Sequence, residues 1–149
     1  MFTTMLGLML AQAAAPASAP PPQRAPAVMP FSEAVRVGDT LYLSGQLGIA
    51  PGTRAVVAGG IAAETKQTMD NIGVTLRKYG LTHGDLVKCT VFLADMAEWG
   101  AMNSVYMTYF QPGKFPARSA LGVNGLALGA RTEIECLGHF SAGHRGKKG

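Results

Sequence analysis

The sequence predicts a single α+β domain in which a mixed β-sheet is covered on one face by two helices. The chain has 149 residues, enough for one hydrophobic core, and 48% of them are apolar while 15% are charged. Strand-like and helix-like patterns follow one another in the order ββαβαββ. This composition is typical of a folded domain rather than of a disordered chain.

The first two strands are predicted to form a hairpin. Residues 31–37 alternate loosely between apolar and polar side chains, Gly38 and Asp39 mark a turn, and residues 40–45 read as the second strand. The glycines and the proline of residues 46–60 then predict a loop.

A helix, a strand and a second helix are predicted to follow. The first helix ends at Gly80, and residues 87–93 alternate as a strand with two usable faces. Asp95 and Glu98 resemble a capping box at the start of the second helix, which ends by Pro112. The residues that repeat at three- and four-residue spacing in the first helix are Ile61, Thr65, Thr68, Met69, Ile72, Leu76 and Tyr79.

Residues 117–123 and 130–140 are predicted to be the last two strands, joined as a hairpin through Asn124 and Gly125. Two helices on one side would leave the other face of the sheet uncovered. In a chain this small, a second copy of the same chain is the economical way to bury that face. We therefore expect an oligomer.

Three segments are predicted along the chain. Residues 1–23 are apolar, then rich in alanine and proline, and form a signal peptide or a disordered leader. Residues 24–140 form the domain, and residues 141–149 form a basic tail. The apolar run is too short to span a bilayer and is followed by small residues suited to cleavage, which predicts a periplasmic or secreted protein. The alternatives are a disordered leader on a cytoplasmic protein and a start site assigned upstream of the real one.

The net charge of +4 does not predict a nucleic-acid partner. Between Pro30 and Phe140 the chain has nine Lys or Arg residues and nine Asp or Glu residues, so the excess lies in Arg24 and in the tail. A neutral domain lacks the basic stripe that phosphate neutralisation requires.

Cys89 and Cys136 are the two cysteines, and their spacing fits no metal motif. Each lies in an apolar, strand-like stretch, which predicts two buried free thiols, with a disulfide as the alternative in an exported protein. We expect no catalytic cysteine. The scattered histidines and the lack of a glycine-rich phosphate loop predict no metal and no cofactor.

Two charged residues are the candidates for chemistry. Glu133 is followed by the apolar Ile134, and partial desolvation would raise its proton affinity and suit it to handle the proton of a water or an amine. Arg118 offers a planar fork for a substrate carboxylate. Spacing alone equally allows a structural cross-strand ion pair between them. Ser44 precedes Gly45, where a ligand could approach the backbone closely.

Six segments of the chain resemble the RidA/YjgF reactive-intermediate deaminase family in order and spacing. The similarity covers residues 25–140, and FPARS is quite specific to that family. The segments are PFSEAV at 30–35, LYLSGQ at 41–46, KCTVFL at 88–93, NSVY at 103–106, FPARS at 115–119 and EIE at 133–135.

The resemblance implies a chorismate-mutase-like α+β fold and a homotrimer with clefts between subunits. It further implies hydrolysis of 2-imino acids, such as 2-iminobutanoate and 2-iminopropanoate, to 2-oxo acids and ammonia, without cofactor or metal. By position, Arg118 matches the arginine that holds the substrate carboxylate, and Glu133 matches the glutamate that positions or activates water. Ser44 and Asn103 match polar residues of the cleft.

The chain differs from the family pattern at two positions of the implied site. Phe31 stands where active members commonly have a tyrosine, and Ala120 stands where several have a cysteine. The loss of the hydroxyl predicts a more apolar cleft, a larger preferred side chain or a weak imine activity. Two further functions stay open: an RNA-cleaving or translation-inhibiting protein, and a non-catalytic trimer that binds small carboxylates or acts as a holdase.

Overall fold

The computed structural model describes residues 29–141, so the predicted leader and residues 142–149 of the tail lie outside the described range. The α+β class and the two helices predicted from the sequence are confirmed. One element was missed, because the predicted loop 46–60 contains a short strand. The elements are β1 (Ala34–Val37), β2 (Thr40–Leu43), β3 (Gln46–Leu47), α1 (Gly60–Lys78), β4 (Leu86–Leu93), α2 (Trp99–Tyr106), β5 (Ala117–Gly122) and β6 (Thr132–His139).

The strands form one mixed sheet in the order β1-β2-β6-β4-β5, with β3 pairing to β6. The first hairpin is as predicted, but the last is wrong: β5 pairs in parallel with β4, and β6 pairs antiparallel with the other edge of β4. The crossover through α2 brings the chain back so that β5 runs parallel to β4. Strand β5 therefore occupies one edge of β4, and β6 pairs with the other. Residues 123–131 then carry the chain across to the other edge of β4.

Both helices pack on one face of the sheet, where the hydrophobic core lies. Side chains alternate along β6 as predicted, with Thr132, Ile134 and Cys136 buried and Glu135 exposed on the opposite, open face. The first helix ends where expected, because Gly80 adopts a positive φ of 73° directly after it. Fully buried core side chains include Leu41, Met69, Ile72, Leu76, Val91, Leu93 and Met102.

Cys89 and Cys136 form a disulfide bond within this core, so the prediction of two free thiols is wrong. The two residues are direct neighbours in the antiparallel pairing of β4 with β6, and both are buried on the helix side of the sheet. The predicted β5–β6 hairpin gave no reason to place β4 beside β6, so the pairing of the two cysteines was not expected.

A charged network holds the start of β6 to both helices. The side chain of Asp95 accepts a hydrogen bond from Ala97 N at 2.9 Å, as in the predicted capping box. Glu98 does not complete the box, because its carboxylate instead forms an ion pair with Arg131. The buried Glu64 accepts a 2.7 Å hydrogen bond from the backbone N–H of Arg131. These contacts fix the strand two residues before Glu133.

The open face of the sheet carries apolar side chains in contact with solvent in the single chain. The side chains that are between 47% and 62% exposed there are Val35, Val37, Tyr42 and Leu121. Within residues 29–141, no helix is long and apolar enough to cross a membrane.

Candidate functional site

Glu133 lies on the open face of β6, where β3 and the segment before β1 surround it. Its carboxylate packs against the backbone of Gly45 so closely that a β-carbon at residue 45 would overlap it. The adjoining cavity has a volume of about 670 Å³ and is called the Glu133 pocket below. Its lining includes Phe31, Gly45, Leu47, Arg54, Leu128 and Glu133.

The electrostatic environment of Glu133 favours its protonated form. Burial raises the pKa of the Glu133 carboxyl above its usual value, and the negative charge of nearby Glu135 raises it further. Among residues 29–141, no hydrogen-bond donor or cation pairs with this carboxylate, and nearby Arg131 pairs instead with Glu64 and Glu98. A carboxylate that is partly desolvated and unpaired is suited to accept a proton from a bound water.

Ser44 holds the segment that carries Phe31. Its hydroxyl donates a 2.6 Å hydrogen bond to the carbonyl of Ser32, and its backbone N–H donates to the carbonyl of Glu33 at 3.0 Å. Phe31 is 55% exposed and lines the Glu133 pocket. Ser44 therefore acts on this pocket by fixing the backbone next to Phe31.

Arg118 lies on β5 and faces α2, where a second, smaller cavity of about 220 Å³ opens. Its Nη1 donates a 2.7 Å hydrogen bond to Asn103 Oδ1. Its guanidinium lies 4.8 Å from the ring centroid of Tyr106 and 5.8 Å from that of Trp99. We call this cavity the Arg118 pocket. A guanidinium held from one side in this way keeps other N–H groups for a carboxylate.

The aromatic support of Arg118 was not identified from the sequence. Trp99, Asn103 and Tyr106 are spaced four and three residues apart, which places them on one face of α2 and could have linked them. Burial raises the pKa of Tyr106 to about 12, against the opposing effect of Arg118, so its hydroxyl stays neutral. Ala120 follows Arg118 on the same face of β5 and packs against the hydrophobic core.

The two pockets lie on different sides of the sheet. Arg118 pairs with Cys89, whose side chain points to the helices, whereas Glu133 pairs with Phe92 on the open face. Strand β4 lies between them, and two strand spacings amount to about 10 Å. A single chain thus does not bring Arg118 and Glu133 around one small substrate, and the alternative of a structural ion pair between them is excluded.

The polar groups that line the two pockets include the carboxylate of Glu133, the guanidinium of Arg118 and the amide of Asn103. Within residues 29–141, no group of three His, Cys, Asp or Glu side chains is arranged to hold a metal ion. The available groups can bind an anion and transfer a proton.

Comparisons with known proteins agree on one family. A family model described as endoribonuclease L-PSP matches residues 22–140. A mouse protein named 2-iminobutanoate/2-iminopropanoate deaminase is 45% identical over 115 residues, which cover 76% of this chain and 84% of the mouse protein. The structure of RidA from an Antarctic Psychrobacter species has a TM-score of 0.71 and 35% identity, with 76% and 91% of the two chains covered. Escherichia coli TdcF with bound serine has a TM-score of 0.72 and 28% identity, with 77% and 91% covered.

Proposed function

Since the chain belongs to the endoribonuclease L-PSP family, which includes the RidA/YjgF deaminases, we propose that it hydrolyses reactive 2-imino acids to 2-oxo acids and ammonia. The observation that carries this proposal is the unpaired carboxylate of Glu133, with its raised pKa, at the wall of a cavity. The relatives named 2-iminobutanoate/2-iminopropanoate deaminase, from mouse and human, support it at 45% and 43% identity.

In the proposed reaction, Glu133 accepts a proton from a water as the water oxygen bonds to C2 of the imine. The proton passes to the imine nitrogen and gives a carbinolamine with a hydroxyl and an amino group on C2. Glu133 then moves the hydroxyl proton to that nitrogen as the C–N bond breaks, so ammonia leaves and C2 becomes the carbonyl of the 2-oxo acid. Holding water and substrate together replaces a slow encounter with bulk water by a directed attack.

Arg118 is proposed to bind the substrate carboxylate. Asn103 and the rings of Trp99 and Tyr106 hold the guanidinium in place, so little side-chain freedom is lost when the anion binds. The bound serine of TdcF is a 2-amino acid with the same carboxylate group, which supports a substrate of this chemical class.

We propose a homotrimer in which the Arg118 pocket of one subunit meets the Glu133 pocket of the next. Two observations support this arrangement. The two pockets lie on opposite sides of one sheet in a single chain. The open face also exposes Val35, Tyr42 and Leu121, which a second copy would cover.

We further propose that residues 1–23 are removed and that the mature protein is periplasmic or secreted. The disulfide between Cys89 and Cys136 supports export, because such bonds persist mainly in oxidising compartments. RNA cleavage is the second candidate, since the family description names an endoribonuclease. The balanced charge of residues 30–140 favours the deaminase, because RNA binding draws on basic surface.

The test is to generate a 2-imino acid in place with an amino-acid oxidase and to follow its decay with and without the purified protein. Semicarbazide traps the remaining imine, so a deaminase lowers the yield of semicarbazone. A parallel incubation with RNA decides between the two candidates. If RNA is cleaved while imine decay is unchanged, the proposed function is wrong.

A further inference from the structure

Leu128 has an unusual backbone conformation at the edge of the Glu133 pocket. Among residues 29–141 it is the one non-glycine residue with a positive φ, at 59° with ψ at 18°. This left-handed region is unfavourable for a residue with a β-carbon, and leucine has no polar side chain to compensate by a local hydrogen bond. Such strain is often retained where a side chain has a function.

The strained backbone presents a large apolar side chain to the pocket. Leu128 is 61% exposed, although leucine usually lies in a core. Phe31 is 55% and Met29 is 57% exposed, and both line the same pocket. Together with Leu47 and Ile49 they form an apolar wall next to the carboxylate of Glu133.

The volume of the pocket exceeds what the smallest imine would use. At about 670 Å³ it falls within the range of pockets that enclose ligands much larger than a three-carbon acid. A substrate whose C2 lies at Glu133 would have room to direct its side chain toward Phe31 and Leu128. Each methylene buried there would improve binding about fourfold.

We propose that Leu128 and Phe31 form a side-chain pocket that selects 2-imino acids with large apolar side chains, such as those derived from leucine and phenylalanine, over 2-iminopropanoate. This inference rests on the proposed deaminase function and names its substrate class. Arg54 is the positively charged residue that lines the pocket, and it makes imines with an acidic side chain the rival class.

The experiment compares kcat/KM for imines derived from leucine, alanine and glutamate. We expect the wild-type protein to prefer the leucine-derived imine to the alanine-derived imine by at least about tenfold. Leu128→Asn tolerates the left-handed backbone but removes the apolar wall, and should lower this ratio by about tenfold. Phe31→Ala should lower it similarly. Val74→Asn replaces another exposed apolar residue, which lies on α1 and does not line the pocket, and should leave the ratio unchanged.

Binding of 2-oxo acids separates the failure of this inference from the failure of the proposed function. Calorimetry would compare 4-methyl-2-oxopentanoate with pyruvate for the wild-type protein and for Leu128→Asn. One outcome is that no imine is hydrolysed, while the larger 2-oxo acid binds more tightly than pyruvate and loses this advantage in Leu128→Asn. The side-chain pocket is then supported and the proposed enzyme function is wrong. If imines are hydrolysed with a ratio that Leu128→Asn does not change, the inference is overturned.

Two further results would also overturn it. The first is a higher kcat/KM for the glutamate-derived imine than for the leucine-derived imine, which would show that Arg54 selects acidic side chains in this pocket. The second is a loss of oligomer in Leu128→Asn with an unchanged substrate ratio, because Leu128 would then serve contact between subunits. Light scattering of each variant provides that measurement.

Discussion

Arg118 and Glu133 extend from opposite faces of one sheet, with strand β4 between their strands. The resemblance to the deaminase family predicts that both residues belong to one site, yet one chain keeps them apart. A site that needs both groups must therefore take them from two subunits. This arrangement can be tested by subunit mixing.

Mixed trimers of Arg118→Ala and Glu133→Gln chains should regain activity. Each homotrimeric variant has no complete site, but in a random equal mixture about one quarter of the sites combine the intact Arg118 of one chain with the intact Glu133 of its neighbour. Imine hydrolysis should then recover to about a quarter of the wild-type rate after joint unfolding and refolding. The doubly substituted chain mixed with wild type serves as a control. Absence of recovery would show that no site combines Arg118 of one subunit with Glu133 of the next.

Glu133→Gln should retain 2-oxo acid binding and lose turnover by about 10²–10⁴, because the shape is kept while the proton acceptor is removed. Arg118→Ala should weaken 2-oxo acid binding by about 1.5–3 kcal/mol through the loss of charge-assisted hydrogen bonds. Calorimetry and single-turnover kinetics separate the two effects. Hydrolysis by Glu133→Gln at the wild-type rate would show that the proposed mechanism is wrong.

The pH profile should reflect the raised pKa of Glu133. The base acts when it is deprotonated, so kcat should fall with decreasing pH through a pKa above the ordinary glutamate value of 4.5. The stability of the fold should depend on pH in the opposite direction to the activity. A carboxyl whose pKa is raised by folding contributes most to stability when it is protonated, and this contribution is lost as pH rises through the folded-state pKa. Glu133→Gln should therefore have an equal or higher Tm than wild type at pH 8. A lower Tm would indicate a favourable partner for the carboxylate.

Gly45→Ala should reduce imine hydrolysis by about 10²-fold, because the added methyl group would displace the carboxylate of Glu133. Gly100→Ala is the matched control, since its β-carbon would meet open space at the start of α2. Binding of 2-oxo acids by trimeric Gly45→Ala reports whether the pocket itself survives. Equal turnover of both variants would show that the position of Glu133 is not critical.

The helices and the alternation of β6 were predictable because each depends on local periodicity. Ile61, Met69 and Leu76 recur at helical spacing and are buried, as expected from their pattern. The candidate residues Arg118 and Glu133 were identified from the short segments that contain them. Local patterns thus locate elements and reactive groups along the chain.

The order of the strands could not be predicted from such patterns. Asn124 and Gly125 are a local hairpin signal, but the path of β6 depends on which edge of β4 the α2 crossover has already occupied. Because β6 was expected beside β5 and not beside β4, the pairing of Cys89 with Cys136 was not predicted either. The fit of Glu133 against Gly45 is non-local in the same way, because the two residues meet only when β6 lies beside β2 and β3.

The mature protein should begin near residue 24 and should be found outside the cytoplasm. Mass spectrometry of protein purified from its native source measures the N-terminus directly, and fractionation gives its location. Either an intact Met1 or a cytoplasmic pool alone would contradict the export proposal.

Reduction of the disulfide should lower the free energy of unfolding by roughly 2–4 kcal/mol. The bond joins cysteines 47 positions apart, so it restricts a long loop in the unfolded chain. Because β4 and β6 are central in the sheet, the effect should extend to the whole domain. Denaturant midpoints of oxidised and reduced wild type provide the comparison, and the Cys89→Ala/Cys136→Ala chain, which should not respond to reductant, is the control. If the unfolded, unreduced protein reacts with two equivalents of a thiol reagent, the cysteines are free and the stabilisation argued from their pairing does not exist.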